Sequence, residues 1–287
     1  MLTMTALGGC AISPRGPKIT AIDTHAHVFA HDLPLAQQRR YAPDYDAPLQ
    51  AYLAQLDAHG ISHGVLIQVS FLGTDNRYLL NALAAQPGRL RGVAVIDPAA
   101  TDAAQLDALA RGGIVGIRLN LFNAPDPDYR SAAWQALLPK LAALGWQVEV
   151  HCEARRLPQV VGPLLDAQLK VVVDHFGRPD PALGIDDPGF RYLLTLGPSR
   201  RVWVKLSGAY RNGPNGVGEA VARAATPRLK DALGLDRLMW GSDWPHTQFE
   251  RRTNYDDAYR LIHALLPDPD EQRVVLADTP ARLFGFA

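Results

Sequence analysis

The residues most able to perform chemistry are histidines and one aspartate, each at or just after the end of an apolar run. They are His25, His27, His151, His175 and Asp243. Imidazole nitrogens and a carboxylate oxygen form the mixed ligand set that proteins use for a divalent transition metal such as zinc or manganese. The same carboxylate could instead remove a proton from water as a general base. The pattern therefore predicts one site with metal-assisted or acid–base chemistry.

Arginines and other polar residues follow apolar runs in the same way. Arg118, Arg178 and Arg211 are placed at or just after such runs, as are Ser70 and His246. Guanidinium groups pair bidentately with carboxylates and stay charged at all working pH values. A site with this much positive potential predicts an anionic substrate.

Eight apolar runs predict the strands that must position these side chains. The runs cover residues 18–24, 64–69, 90–96, 114–122, 145–150, 169–174, 202–206 and 237–240. They are continuous rather than alternating, which is typical of a parallel sheet covered on both faces. Helical patterns separate them over 49–60, 101–111, 131–144, 157–168, 190–196, 217–233 and 254–266, with one more helix opened by Asn76.

Eight strand–helix units predict an α/β fold, a single (β/α)₈ TIM barrel, with residues 269–284 as an extra C-terminal helix. In such a barrel the groups at the carboxyl ends of the strands converge on one face. A doubly wound open sheet is the alternative fold. Its phosphate-binding glycine fingerprint is missing after the first strand, which favours the barrel.

Composition limits the classes of partner and the compartment. The 287 residues carry 29 basic and 29 acidic side chains with no basic block, which argues against nucleic acid or a membrane surface as partner. Residues 1–18 lack a basic start and an apolar segment, so we expect a flexible N-terminal arm rather than a signal peptide, followed by one barrel domain over 19–287. Only two cysteines, Cys10 and Cys152, indicate a reducing, cytoplasmic compartment.

Five motifs resemble those of the amidohydrolase superfamily, and within it the branch that contains 2-pyrone-4,6-dicarboxylate lactonase and the sugar-acid lactonases. They are IDTHAH at 22–27, GIRLN at 116–120, VVDHFGRP at 172–179, KLSGAYR at 205–211 and WGSDWPH at 240–246. The similarity extends from about Ile22 to the C-terminus. It implies a TIM-barrel hydrolase that opens a small carboxylated lactone.

The resemblance also implies roles for individual residues. Asp243 would be the general base that activates water, and His25, His27 and His175 would polarise the scissile carbonyl. Arg118, Arg178 and Arg211 would hold the substrate's carboxylates, with Tyr41 and Ser70 also at matched positions. Catalysis in the pyrone lactonase pattern requires no metal.

Two departures from that pattern affect the substrate and the cofactor. The pattern has a further arginine after the fourth strand, where this chain reads LFNAPDPD with no basic residue before Arg130. It has a tyrosine at the end of the fifth strand, where this chain has His151, a ligand that metal-dependent relatives use. One divalent metal, zinc or manganese, and metal-free catalysis both stay open. The candidate ligands are His25, His27, His151, His175 and Asp243.

Three other functions are compatible with a barrel of this kind. The same ligand set serves metal-dependent decarboxylases of aromatic or unsaturated acids, and an internal hydroxyl in place of water would give a lactone isomerase. A non-catalytic binding protein is disfavoured because the acid, the histidines and the arginines are all present together. Self-association into a homo-oligomer is left open by the sequence.

Overall fold

Residues 17–287 are described by a computed structural model, and eight parallel strands form its centre. The strands pair in chain order from the first to the eighth, with parallel neighbours throughout. Their bounds are β1 (Ile22–Ala26), β2 (His63–Ile67), β3 (Leu90–Ala94), β4 (Ile114–Asn120), β5 (Gln147–His151), β6 (Lys170–Val173), β7 (Val202–Leu206) and β8 (Leu238–Trp240). The predicted (β/α)₈ barrel is confirmed.

Helices follow the strands and cover the outside of the sheet. Their bounds are α1 (Leu49–Ala58), α2 (Arg77–Ala85), α3 (Ala103–Arg111), α4 (Ala132–Ala143), α5 (Leu157–Asp166), α6 (Pro188–Leu194), α7 (Val217–Leu233), α8 (Tyr255–Leu265), α9 (Pro269–Arg273) and α10 (Thr279–Phe284). The extra C-terminal helix predicted over 269–284 is divided by a π-helical turn, Val274–Asp278. No helix in residues 17–287 combines the length and the apolar character needed to cross a membrane.

The first strand is the element whose predicted position differs most from the structure. It begins at Ile22 rather than at residue 18 and extends through His25. The residues before it bond to a loop instead of a strand, because the Thr20 hydroxyl donates to the Gly60 carbonyl at 2.7 Å. The predicted arm over 1–18 falls, except for its last two residues, outside the described part of the chain, as does Cys10.

The barrel closes through loop residues that join β1 to the end of β8. The Thr24 hydroxyl donates to the Trp240 carbonyl at 2.6 Å, and the Asp243 amide donates to the His25 carbonyl at 2.7 Å. Asp23 strengthens this junction by accepting from the Ser242 amide at 2.8 Å and the Ser242 hydroxyl at 2.6 Å. Closure therefore places Asp243 directly beside the two histidines that end β1.

The two ends of the barrel differ in polarity. A buried apolar cluster joins the beginnings of several strands, including Ile22, Trp203 and Met239, to Phe284 and Phe286 at the C-terminus. The C-terminal segment thus packs against the end of the barrel where the strands begin. The opposite end, where the strands finish, carries the polar side chains.

Candidate active site

A small cavity of about 130 Å³ lies at the carboxyl ends of the strands. Of the eleven residues predicted for the site, the cavity is lined by His27, Tyr41, Ser70, Arg118, His151, His175, Arg178, Arg211 and Asp243. Larger clefts of about 780 and 1010 Å³ lie between outer helices and have no histidine in their walls. Most of the predicted histidines, together with the predicted arginines and aspartate, therefore line the smallest of these three cavities.

Asp243 is fully buried, and its two carboxylate oxygens have different surroundings. Oδ2 accepts a hydrogen bond from the Tyr210 hydroxyl at 2.6 Å and forms an ion pair with the Arg211 Nε. Oδ1 has no hydrogen-bond partner among residues 17–287 and lies 3.7 Å from Nε2 of both His25 and His27. Burial alone would raise the pKa of Asp243, but the Arg211 guanidinium, together with the imidazoles of His175, His27 and His25, holds the pKa well below its usual value. Asp243 is thus an ionised carboxylate with one oxygen left for a ligand.

Two histidines of the cavity wall are held through their Nδ1 atoms. His27 Nδ1 lies 2.8 Å from the Ile67 carbonyl oxygen, and His175 Nδ1 lies 2.9 Å from the Ser207 hydroxyl. A carbonyl oxygen only accepts, so the His27 Nδ1 carries the proton and Nε2 presents a lone pair. Burial lowers the pKa of both rings, which keeps them neutral.

His25 lies one layer below the cavity, on a buried cluster of charged groups. Its Nδ1 is 3.2 Å from Lys205 Nζ, 3.3 Å from Asp174 Oδ1 and 3.4 Å from Glu149 Oε1. Lys205 forms an ion pair with Glu149, and Arg118 donates to Asp174 at 3.1 Å. Burial, and then the neighbouring Asp174, raise the pKa of Glu149 to about 7. The cluster fixes the ring of His25 so that Nε2 faces Asp243.

Asp174 directly precedes His175 in the chain, but it does not hold the His175 ring. Its carboxylate contacts Arg118 and His25, and the partner of the His175 ring is Ser207. The reason is the register of the sheet, in which β4 and β5 bring Arg118 opposite Glu149 and create a cationic group beside the end of β6.

The three predicted arginines differ in how far their charge is already compensated. Arg118 is paired with Asp174 and Glu149, and Arg211 is paired with Asp243. Arg178 stacks at 4.5 Å on the ring of Phe122, and no carboxylate lies within ion-pair distance of it in the described chain. Burial, together with nearby Arg211, lowers the pKa of Arg178 to about 10. Arg178 is consequently the predicted arginine most available to an anion.

The remaining predicted residues surround this centre. Both ring nitrogens of His151 lack a hydrogen-bond partner in residues 17–287, and its ring stacks on Phe122 with centroids 5.7 Å apart. Tyr41 and Ser70 line the cavity from the segments after β1 and β2. His246 does not line the cavity, because it packs against Tyr210, with Nδ1 3.4 Å from the tyrosine hydroxyl.

Backbone conformation is unusual around the cavity. Asp243, His175, Phe176, Arg178 and His246 all have φ between 52° and 64°, a region that residues with a side chain seldom occupy. Backbone strain of this kind persists only where surrounding contacts enforce it, and it concentrates at functional sites. The local backbone therefore also marks this end of the barrel.

Several buried donor atoms fit a divalent cation. His25, His175 and Asp243 each offer one ligand atom, and these atoms lie within 4.8 Å of one another. His25 Nε2 and Asp243 Oδ1 are both buried without a hydrogen-bond partner in the described residues. Neutral imidazoles and an ionised carboxylate are the protonation states that metal binding requires. The residues present thus fit the metal that the sequence left open.

Important members of the site were missed in the sequence. Tyr210 follows Gly208 in the segment after β7, and Arg40 belongs to the long loop after β1. Glu149 and Lys205 are charged residues with apolar neighbours on both sides in buried strands, and that interruption was the available signal. For Arg40 no local signal existed, because only the folded loop brings it to the cavity.

Acidification is expected to lower the free energy of unfolding, because burial lowers the pKa of six histidines. The six are His25, His27, His63, His151, His175 and His246. In the unfolded chain each has an ordinary pKa near 6.5 and binds a proton that the folded protein excludes. Stability is therefore present above about pH 6.5 and is lost below it, by up to about 1.4 kcal/mol per pH unit for each histidine.

Urea denaturation at pH 7.5, 6.0 and 5.0 measures this slope. His31 is a suitable control because its pKa is raised by a hydrogen bond to Asp46 on the surface. His31→Asn should not change how steeply the free energy of unfolding falls with decreasing pH. His151→Phe should make that fall less steep. A free energy of unfolding that is constant over this range would contradict the assignment of neutral buried rings.

A barrel with imidazoles and one carboxylate at its strand ends is the arrangement of an amidohydrolase, and the chain belongs to the amidohydrolase family. The sequence profile of that family matches residues 22–286. The resemblance inferred from the motifs is confirmed.

Relatives of known or assigned activity act on lactones. The chain is 32% identical to 4-sulfomuconolactone hydrolase of Hydrogenophaga intermedia, over 92% of this chain and 88% of that protein. It is also 32% identical to 2-pyrone-4,6-dicarboxylate hydrolase of Comamonas testosteroni, over 92% of this chain and 90% of that protein. A probable 2-pyrone-4,6-dicarboxylic acid hydrolase from Acinetobacter baumannii, crystallised with citric acid bound, is 42% identical with a TM-score of 0.90, covering 93% of this chain and 100% of that one.

Proposed function

We propose that this protein is a hydrolase that opens a small carboxylated lactone, of the 2-pyrone-4,6-dicarboxylate or sugar-acid type. The observation that carries the proposal is Oδ1 of Asp243, which has no hydrogen-bond partner within the described part of the chain and faces imidazoles in a cavity lined by arginines. Relatives that are lactone hydrolases over nearly their whole length support the same reaction. A small anionic lactone is therefore the proposed partner.

In the proposed reaction, Asp243 removes a proton from water through Oδ1. The water oxygen forms a bond to the lactone carbonyl carbon, the ring C–O bond breaks, and the proton passes to the leaving oxygen. Arg211 and Tyr210 hold Oδ2, so the carboxylate cannot rotate away from the water. Positioning a base in this way contributes about 100- to 10,000-fold to the rate.

Polarisation of the carbonyl is assigned to the imidazoles of His27 and His175, with His25 beneath them. The neutral ring of His27 presents a lone pair at Nε2, so it donates to the developing oxyanion only after it gains a proton. A divalent cation bound by His25, His175 and Asp243, with His27 and His151 beside them, would supply this polarisation as a Lewis acid. Both routes keep Asp243 as the base.

Arg178 is the proposed anchor for one substrate carboxylate, since its guanidinium has no acidic partner among residues 17–287. Arg118 and Arg211 face the same cavity and add positive potential, while their carboxylate partners hold them in place. Ser70 and Tyr41 offer hydroxyls at the rim. The positive potential of these arginines favours entry of an acidic lactone over a neutral one.

The test is a panel of 2-pyrone-4,6-dicarboxylate, acidic sugar lactones and their neutral methyl esters, assayed after chelation and again with Zn²⁺ or Mn²⁺ added. We expect acid release from at least one acidic lactone and much slower turnover of its ester. Release of CO₂ from aromatic acids without lactone opening would indicate the decarboxylase alternative. A ring shift without acid release would indicate an isomerase.

A further inference from the structure

A fourth arginine, Arg40, lines the cavity from the long loop between β1 and α1. This loop is held in place at both ends and in its middle. Phe29 and Ala47 form a two-residue antiparallel bridge with N–O distances of 2.9 Å, and the Ala36 amide donates to the Phe71 carbonyl at 2.8 Å. Arg40 is therefore presented to the cavity by a fixed segment.

The guanidinium of Arg40 reaches the end of β4 on the far side of the cavity mouth. Its Nη2 donates to Asn120 Oδ1 at 3.2 Å, and its Cζ lies 5.4 Å from the centre of the Phe122 ring. Arg178 stacks on the same ring at 4.5 Å. One aromatic ring thus carries two guanidinium groups from two different loops.

These two arginines share a lack of acidic partners. Arg118 and Arg211 are matched by Asp174 and Asp243 within the same site. No carboxylate lies within 4.0 Å of Arg40 or Arg178 in residues 17–287, and residues 1–16 contain no acidic side chain. The positive charges of Arg40 and Arg178 are therefore left for an anion to compensate.

The segment after β4 contains no basic residue of its own until Arg130, which is exposed and paired with Asp128. Arg40 consequently adds a cation on this side of the cavity, where Arg118 of β4 is already paired with Asp174 and Glu149. Arg40 belongs to the loop after β1, although its guanidinium lies beside the end of β4.

We propose that Arg40 is a specificity-determining residue that binds a second acid group of the substrate, beside the first one, which Arg178 anchors. The inference rests on the proposed lactonase function, which it deepens by requiring two acid groups on one small ring. A carboxylate or a sulfonate pairs with a guanidinium fork through two of its oxygens. A substrate with one acid group would leave Arg40 without a partner.

Arg40→Met removes the charge and keeps the length of the aliphatic stem. Its neighbour Arg39 is the matched control, because it is exposed on the same loop, donates to the Ala36 carbonyl at 2.9 Å and does not line the cavity. Binding is measured calorimetrically with benzene-1,3-dicarboxylate, a non-reactive diacid, and with benzoate, which has one acid group. Turnover is measured with a diacid lactone and with the corresponding monoacid.

We expect Arg40→Met to weaken diacid binding and to lower kcat/KM for the diacid lactone about 10- to 100-fold, the loss of one charge-assisted contact. The affinity for benzoate and kcat/KM for the monoacid lactone should each change by less than about 3-fold, as expected when one solvent-exposed contact is lost. Arg39→Met should change neither the binding of the two acids nor the turnover of the two lactones. Arg40→Lys keeps the charge but not the two-pronged guanidinium group, so its kcat/KM for the diacid lactone should lie between those of the wild type and Arg40→Met.

Equal losses for diacid and monoacid, or no loss for either, would overturn the role of Arg40. If the wild-type protein binds the diacid through Arg40 but opens no lactone, the proposed function fails while this inference stands. If it opens diacid lactones with no dependence on Arg40, the inference fails alone. A wild-type protein that neither binds the diacid nor opens a lactone would overturn both.

Discussion

Asp243→Asn is expected to lower kcat for the lactone substrate about 1,000-fold, with little change in KM. The amide is isosteric with the carboxylate but cannot accept the proton of the attacking water, so the contribution of the general base is lost. Steady-state kinetics of the purified variant, with its folding checked by thermal denaturation, provide the measurement.

Tyr210→Phe is the matched control for this substitution. It removes one hydrogen bond from Oδ2 at 2.6 Å and leaves untouched Oδ1, the proposed proton acceptor. We expect Tyr210→Phe to lower kcat about 10-fold or less, as for the loss of a single hydrogen bond to a charged group. Normal turnover by Asp243→Asn would remove Asp243 from the proposed role.

Gly208→Ala is expected to lower kcat/KM at least about 100-fold, the loss typical of a small displacement of reacting groups. Gly208 has φ of +53°, and a Cβ there would lie 2.7 Å from His175 Nδ1 and 2.9 Å from Asp243 Oδ2. Both contacts are too short, so the methyl group must push apart the His175 imidazole and the Asp243 carboxylate. The kinetic constants and the unfolding free energy are measured together.

The matched control is Gly60→Ala, which separates backbone strain from displacement of the site. Gly60 has φ of +66°, and a Cβ there would meet no atom within 4 Å. Both variants should lose about 1–2 kcal/mol of stability through the left-handed backbone. Only Gly208→Ala should lose activity; similar kinetics for the two variants would show that His175 and Asp243 are not displaced.

The barrel was predictable because its signals are local. Eight apolar runs and the helical patterns between them gave strand and helix ends within two residues of the structure, apart from the start of β1. At that position Ile19 continues the apolar pattern, but the hydrogen bonds of Thr20 go to the loop after α1. Sequence periodicity does not reveal such a tertiary competitor for backbone bonding.

The site was predictable where a residue's place along a strand decides its position. His27, His151, His175 and Asp243 come together because they finish or follow parallel strands of one barrel. The depth of His25 and the position of His246 behind Tyr210 depend on strand tilt and loop packing, which the sequence does not encode locally. Arg40 lies 80 residues from Asn120 in the chain, so their contact belongs to the folded protein alone.

The junction between β1 and β8 has a consequence for synthesis of the protein. His25 emerges from the ribosome more than two hundred positions before Asp243, and the hydrogen bond between Thr24 and Trp240 spans 216 residues. Gly241 permits this approach, because a Cβ there would lie 2.5 Å from the His25 Cβ. A nascent chain therefore has no reactive centre until its last strand docks against its first, and truncation before Asp243 leaves the early histidines without their acid.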